Sequence, residues 1–288
     1  MMRAMDPEAF RADSRERWER AAPGWGAARE PMQRAAEGVS RWLLDAIAPQ
    51  PGQTVLELAA GPGDTGLMAA GLVAPDGKVI ISDFADEMVA IARARAAELG
   101  LENVEVRQME AEWIDLSAAS VDGVLCRWGY MLVADPEAAL RETRRVLRPQ
   151  RRVALAVWDA PAHNPWLAVM GREAVRAGLY PPADASQPPE PGPFALADRE
   201  RLEELLLTAG FDDVVLDTVD VTFEAESLDA WWDQAVRTSG RMLAAVEALS
   251  PADHYVLRDA VDAAYAPWVG DDGHVLLPGR TLVAAATA

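Results

Sequence analysis

Val55-Leu56-Glu57-Leu58-Ala59-Ala60-Gly61-Pro62-Gly63-Asp64-Thr65-Gly66 is the stretch on which the fold turns. Residues 55–58 form a short run fit for a buried strand. The Gly61-x-Gly63-x-x-Gly66 that follows reads as a tight turn entering a helix, which brings bare backbone up to a ligand. Outward from this turn, short apolar runs alternate with amphipathic stretches. Residues 55–58, 78–82, 104–107, 121–126 and 152–158 are predicted strands with helical segments between most of them, the pattern of a parallel, doubly wound α/β sheet. The acid Asp83 closes the second run, at the edge where such sheets take their ligands.

The flanks extend this core. Asp6-Pro7 is an N-cap with proline in the first turn, and Met32, Ala36, Val39, Trp42, Leu43 and Ile47 recur at helical spacing. Both helices predicted in the first fifty residues look too polar on their other faces for central core. Asp135-Pro136 starts a helix that runs toward Arg148-Pro149. Six prolines fall within residues 181–193, predicting a stiff loop with a lid-hinge or dimer-contact role. A helix at 198–209, a strand at 214–223, helices over 227–268 opened in part by Ser250-Pro251-Ala252-Asp253, and a last strand at 275–285 complete the reading. The expected organisation is a helical cap segment at 1–50, a ligand-binding core at 51–160, a lid and Pro-rich loop at 161–197, the rest of the sheet at 198–226 and 274–288, and a helical cap at 227–273.

Composition narrows the functional classes. The chain has 288 residues with 46 acidic against 27 basic side chains, a formal net charge of −19. That charge repels phosphate backbones and anionic lipid surfaces, so neither nucleic acid nor membrane is an expected partner. One cysteine, Cys126, excludes an internal disulfide framework and a multi-cysteine zinc site, and no metal is expected. The polar amino terminus and the lack of any apolar run of about 20 residues predict a soluble, cytoplasmic protein. Lys78 is the sole lysine, so a Schiff-base mechanism would have to use it.

The glycine turn also matches the dinucleotide fingerprint, in which an acid such as Asp83 holds a ribose hydroxyl. Two residues oppose a pyrophosphate. Glu57 adds a carboxylate beneath the turn, and Pro62 removes one N–H donor. A ligand with a ribose, no phosphate and a cationic centre suits both. On Glu57-x-x-x-Gly61-x-Gly63, Asp83 and Gln108-Met109-Glu110-Ala111-Glu112, the chain resembles the class I S-adenosylmethionine-dependent methyltransferases, and among them the ubiquinone/menaquinone-biosynthesis type and its small-molecule relatives. Glu110 stands where that family usually has Asp, and Gln150-Arg151 where the turn before the fifth strand usually has a Gly pair. The resemblance implies a Rossmann-like seven-stranded sheet with an antiparallel last strand and a helical cap. It also implies S-adenosyl-L-methionine held by Glu57, Gly61, Gly63, Asp83, Glu110 and Ala111; Ala59, Phe84 and Met88 are further candidate cofactor contacts, and Arg127, after the fourth strand, is a residue facing the cofactor or an acceptor carbonyl, or a surface charge.

Methyl transfer from a sulfonium is an in-line displacement needing alignment, exclusion of water and, where the acceptor keeps its proton, a base. His163, just past the fifth strand, is a candidate base or an exposed loop histidine; Tyr130 is a candidate acceptor-orienting hydroxyl or a packing residue. His254 and His274 read as surface and structural. Of ten tryptophans, Trp113, Trp128 and Trp158 fall in the core, and Trp25, Trp128, Trp166 and Trp231 are candidate acceptor contacts. The expected function is methyl transfer to a small, largely apolar or aromatic acceptor by a monomer or homodimer, oxygen favoured over carbon or nitrogen. A nicotinamide-dependent oxidoreductase and a catalytically inactive binder of the same cofactor are the alternatives.

Overall fold

The computed structural model describes residues 6–180 and 190–288. Seven strands form one sheet, β1 (Thr54–Glu57), β2 (Lys78–Asp83), β3 (Val104–Gln108), β4 (Val121–Arg127), β5 (Leu147–Trp158), β6 (Asp212–Ala225) and β7 (Val275–Thr287), in the order β3-β2-β1-β4-β5-β7-β6. β7 runs antiparallel to both β5 and β6, and all other pairings are parallel. The five core strands lie where the apolar runs put them, because strands covered on both faces carry continuous hydrophobic sequence. The order reverses between β1 and β4. Right-handed crossovers therefore place α3 (Asp64–Val73) and α4 (Asp86–Glu98) on one face and α5 (Pro136–Val146) on the other, and leave a crevice above β1 and β4.

Of the two N-terminal helices, α1 (Pro7–Ala27) starts on Asp6, whose carboxylate accepts from the Glu8 N–H at 3.1 Å. It packs on α4 and on the cap helices α8 (Leu228–Thr238) and α9 (Gly240–Glu247). α2 (Arg29–Ile47) departs from the expected cap role. Its stripe Met32, Ala36, Val39, Leu43 and Leu44 is buried against β4, β5, β6 and β7, so it belongs to the central core despite a polar outer face. Ser40 on the same helix is buried too, its hydroxyl 3.0 Å from that of Thr65.

β6 and β7 outrun the sheet. β5 pairs with β7 only as far as Trp158 and Thr281, while the β6–β7 ladder continues from Val221–Gly279 to Ala225–Val275. This overhang carries α6 (Pro165–Arg176), α8, α9 and α10 (Pro251–Tyr265) above the carboxyl edge as a cap, and α7 (Arg199–Thr208) leads into β6. The 227–268 region holds three α-helices started by Ser227, Ser239 and Ser250, the last accepting from the Asp253 N–H at 3.2 Å. Residues 181–189 of the Pro-rich loop, with the hinge and dimer roles expected of them, lie outside the described residues.

An irregular position near the start of β5 bears on stability. α5 stops at Val146, two residues earlier than the helix reading reaches, and Gln150 sits at φ +66° with its N–H on the Ala288 carbonyl, 2.9 Å. A side chain in the left-handed region is strained by about 1 kcal/mol. Gln150→Gly should therefore raise the unfolding free energy by up to about 1 kcal/mol, read by urea denaturation; a loss would mean that the Gln150 side chain is itself anchored.

Candidate functional site

Three loops meet above the reversal point. In the first, after β1, Ala59, Gly61 and Gly63 all have positive φ, which coils the chain back on itself before α3. Glu57 is buried beneath this turn and accepts from the Gly66 N–H at 2.8 Å. A Cβ on Gly66 would lie 2.5 Å from the same carboxylate oxygen, so the third glycine of the motif is there to admit Glu57. In the second loop, Asp83 accepts from Gly61 N–H at 2.8 Å and Ala85 N–H at 3.0 Å, tying the end of β2 to the glycine turn. Met109 donates its N–H to the Asp83 carbonyl at 2.9 Å, bringing residues 108–111 alongside. Phe84, Met88 and Gln108 join this edge: the Gln108 amide donates to the Phe84 carbonyl, and Met88 sulfur lies 4.0 Å from a Cβ built on Gly61.

The third loop follows Arg127, the last residue of β4. Arg127 Nη2 donates to Asp64 at 3.0 Å, and Asp64 also pairs with Arg95, which donates to the Pro62 carbonyl at 2.8 Å. All three side chains are more than nine-tenths buried. The guanidinium carbon of Arg127 lies 4.9 Å from the Trp128 ring centroid, and Nη1 has no hydrogen-bond partner among the described residues.

Burial pushes the Glu57 carboxyl up to about 7, offset in part by the positive charge of Arg127, and burial likewise pushes Asp83 up to about 6. Two buried carboxyls held above their ordinary range, beside a glycine turn and an orphan guanidinium N–H, suit a ligand that brings cationic centres and a carboxylate together. Ionised, they would repel a pyrophosphate. That counts against the nicotinamide alternative and fits S-adenosyl-L-methionine, with its sulfonium, ammonium and carboxylate.

Several expected site residues are engaged with other parts of the protein. Tyr130 is buried under the loop with its hydroxyl 2.6 Å from that of Thr143, and burial raises it well above the ordinary phenol range; it packs α5 rather than orienting an acceptor. Trp113, within the ligand-binding core segment, is 77% exposed. Trp128 stacks on Trp158 at 4.2 Å, Trp158 meets Trp166 edge-on at 4.8 Å, and Trp166, Phe223, Trp231 and Tyr265 continue the series into the cap. Trp128 and Trp231 are therefore buried among other rings, while Trp166 is half-buried. Trp25 donates its indole N–H to the Thr238 carbonyl at 2.8 Å and joins α1 to α8. Glu110 is paired with Arg15 of α1 at 2.6 Å, and Ala111 lies beside it, half-buried. His254 is not simply solvated, since it stands edge-on to Trp232 at 5.6 Å.

His163 is half exposed in a fixed loop, its Nδ1 2.7 Å from Asp159. The fixing residue, which the sequence reading missed, is Asn164. Fully buried, its amide donates to the Asp159 and Arg280 carbonyls at 2.9 and 3.0 Å, and its oxygen accepts from Arg280 N–H and Trp166 Nε1 at 3.0 and 3.1 Å. Among the described residues no helix is long and apolar enough to cross a membrane.

Comparison with known proteins agrees with this geometry. Residues 55–150 match the family described as a methyltransferase domain. The ubiquinone/menaquinone biosynthesis C-methyltransferase UbiE of Shewanella frigidimarina is 28% identical over 181 residues, 60% of this chain and 72% of that protein. The enzyme of the same name from Klebsiella pneumoniae is 33% identical over 126 residues, 43% of this chain and 50% of that protein. The chain thus spans between half and three quarters of the length of these relatives. A Bacillus halodurans protein of known structure shares the fold at TM-score 0.59 and 21% identity, over 87% of this chain and 98% of that one. A SAM-dependent methyltransferase of Aquifex aeolicus does so at TM-score 0.50 and 21% identity, over 76% and 94%.

Proposed function

The chain is a class I S-adenosylmethionine-dependent methyltransferase, and on that premise we propose that it methylates a small, largely apolar acceptor at an atom that must first give up a proton, a hydroxyl oxygen above all. The observation that carries this reading is the His163–Asp159 pair, 2.7 Å apart in a loop fastened by Asn164 at the carboxyl edge of β5. A carboxylate accepting from Nδ1–H selects, for the neutral imidazole, the tautomer whose Nε2 can take a proton from an acceptor.

When bound, S-adenosyl-L-methionine supplies an electrophilic methyl group. The residues of this chain do the rest. Glu57 and Asp83 offer carboxylates to the cofactor's cationic and ribose groups, Arg127 offers its free N–H to a carboxylate, and the buried cap rings exclude water from the displacement. His163 takes the acceptor proton at Nε2, and Asp159 holds the ring and offsets the charge that forms.

His163→Ala should lower the methyl-transfer rate about 100-fold and change the affinity for S-adenosylhomocysteine by less than about twofold. Single-turnover transfer of a labelled methyl group and calorimetry check this; equal small effects on both would make His163 an ordinary loop residue. Any transfer of label also removes the inactive-binder alternative. A second reading, methylation of a phenol carbon, is favoured by the C-methyltransferase names of the relatives. It needs the same base, and NMR of the labelled product separates the two.

A further inference from the structure

Arg11, Arg15 and Glu19 stand one helical turn apart on a single face of α1. Each reaches the cofactor edge from outside it. Arg11 donates to Glu112 at 2.7 and 3.2 Å, Arg15 to Glu110 at 2.6 Å, and Glu19 accepts from the N–H groups of Asp86 and Glu87 at 2.6 and 2.9 Å. The N-cap of α4 is Ala85, which has no capping side chain, so Glu19 supplies the missing oxygens from another helix. Arg15 also lies 5.9 Å from the centroid of Phe84 and borders an open depression of about 430 Å³ with Gln108, Met109 and Glu110.

The other side of α1 is joined to the cap by backbone approach. A Cβ on Gly24 would collide with the Arg237 carbonyl, and one on Gly240 with the Arg17 carbonyl. The cap and α1 are thus one unit; the row of three charged residues, beside the apolar packing of Trp18, Ala22 and Trp25 on Ala85, Met88 and Ile91, fastens that unit to the segments following β2 and β3.

We propose that α1 is a cofactor-retaining clamp in which Arg15, oriented by Glu110, closes the adenosine end of the site opposite Phe84. This rests on the cofactor reading given under the proposed function. A planar guanidinium held edge-on by a carboxylate presents its face to a purine, which an ammonium cannot do. Partly exposed ion pairs suit a clamp, because they close with little loss and part again when the product leaves.

The clamp is tested by release of S-adenosylhomocysteine and of 5′-methylthioadenosine, which lacks the amino-acid end, followed by stopped-flow tryptophan fluorescence. Arg15→Gln should weaken both ligands about tenfold through faster release. Added salt should speed release from the wild type more than from the variant. Arg15→Lys should recover only part of the loss, and Glu110→Gln, which removes the pairing from the other partner, should reproduce it. Release unchanged in both Arg15→Gln and Glu110→Gln would overturn the clamp, as would a loss seen with S-adenosylhomocysteine but not with 5′-methylthioadenosine. A wild-type chain that binds neither ligand would instead overturn the cofactor reading, and the clamp with it.

Discussion

Asp64→Ala should cost about 3–5 kcal/mol of folding free energy, because it strands two buried guanidinium groups at once. Asp64 opens α3, and its carboxylate is shared between Arg95 of α4 and Arg127 of β4, all three side chains being more than nine-tenths buried. Against a usual total of about 5–15 kcal/mol, that is a large share of the stability. The loss is also local in a way that matters for function. Arg95 also holds the Pro62 carbonyl, so without Asp64 the guanidinium that ties the glycine turn to α4 is left without its counter-charge, and Arg127 loses the partner that aims its free N–H. Asp64→Asn should cost less, since it keeps the shape and one acceptor. Urea unfolding of both variants checks the order, and a loss below about 1 kcal/mol for Asp64→Ala would mean that the arginines find other partners.

What was legible in the sequence follows from how far apart the interacting residues lie. Buried parallel strands write themselves as apolar runs, so the five core strands, the glycine turn and Asp83 at the end of β2 could be placed from local pattern alone. The Glu57 carboxyl could be singled out because it breaks such a run. α2 was misjudged because helical periodicity reports one apolar face and not what covers it; here a sheet does. Tyr130 was misplaced for a related reason: it follows a strand end at the ligand edge, yet one short turn swings its hydroxyl onto Thr143. The Arg15–Glu110 and Arg127–Asp64 pairs join residues distant in the chain, and no spacing rule links them. Asn164 offered one signal, the Asn-Pro-Trp run at a helix start, but its partner Arg280 comes from β7.

Glu57→Gln should make the ligand-free protein more stable at alkaline pH while weakening cofactor binding about 100-fold or more. Burial holds the Glu57 carboxyl at about 7 in the fold, against an ordinary value of 4.5, so the folded chain keeps a proton that the unfolded chain releases. The stability this contributes is complete below 4.5 and is lost as pH rises through about 7. At pH 8 the wild type therefore carries a penalty on the order of 3 kcal/mol that the neutral amide avoids. Asp83, raised from 3.8 to about 6, acts in the same direction over a lower window. The ligand-free wild type should gain stability as pH falls from 8 to 6, and Glu57→Gln should flatten the upper part of that rise. Cofactor binding runs the other way. A cationic ligand favours the ionised carboxylate, so affinity should increase with pH through about 7, with protons released on binding in that range. In the glutamine variant the affinity is low at every pH, since a desolvated cation has lost its counter-charge, and the proton release tied to Glu57 disappears. Thermal unfolding across pH, and calorimetry in buffers of different ionisation enthalpy, measure the two halves. A variant no more stable than wild type at pH 8, or one that still releases the same protons, would show that Glu57 is already ionised in the fold and that its carboxylate is satisfied by Gly66 and Arg127 alone.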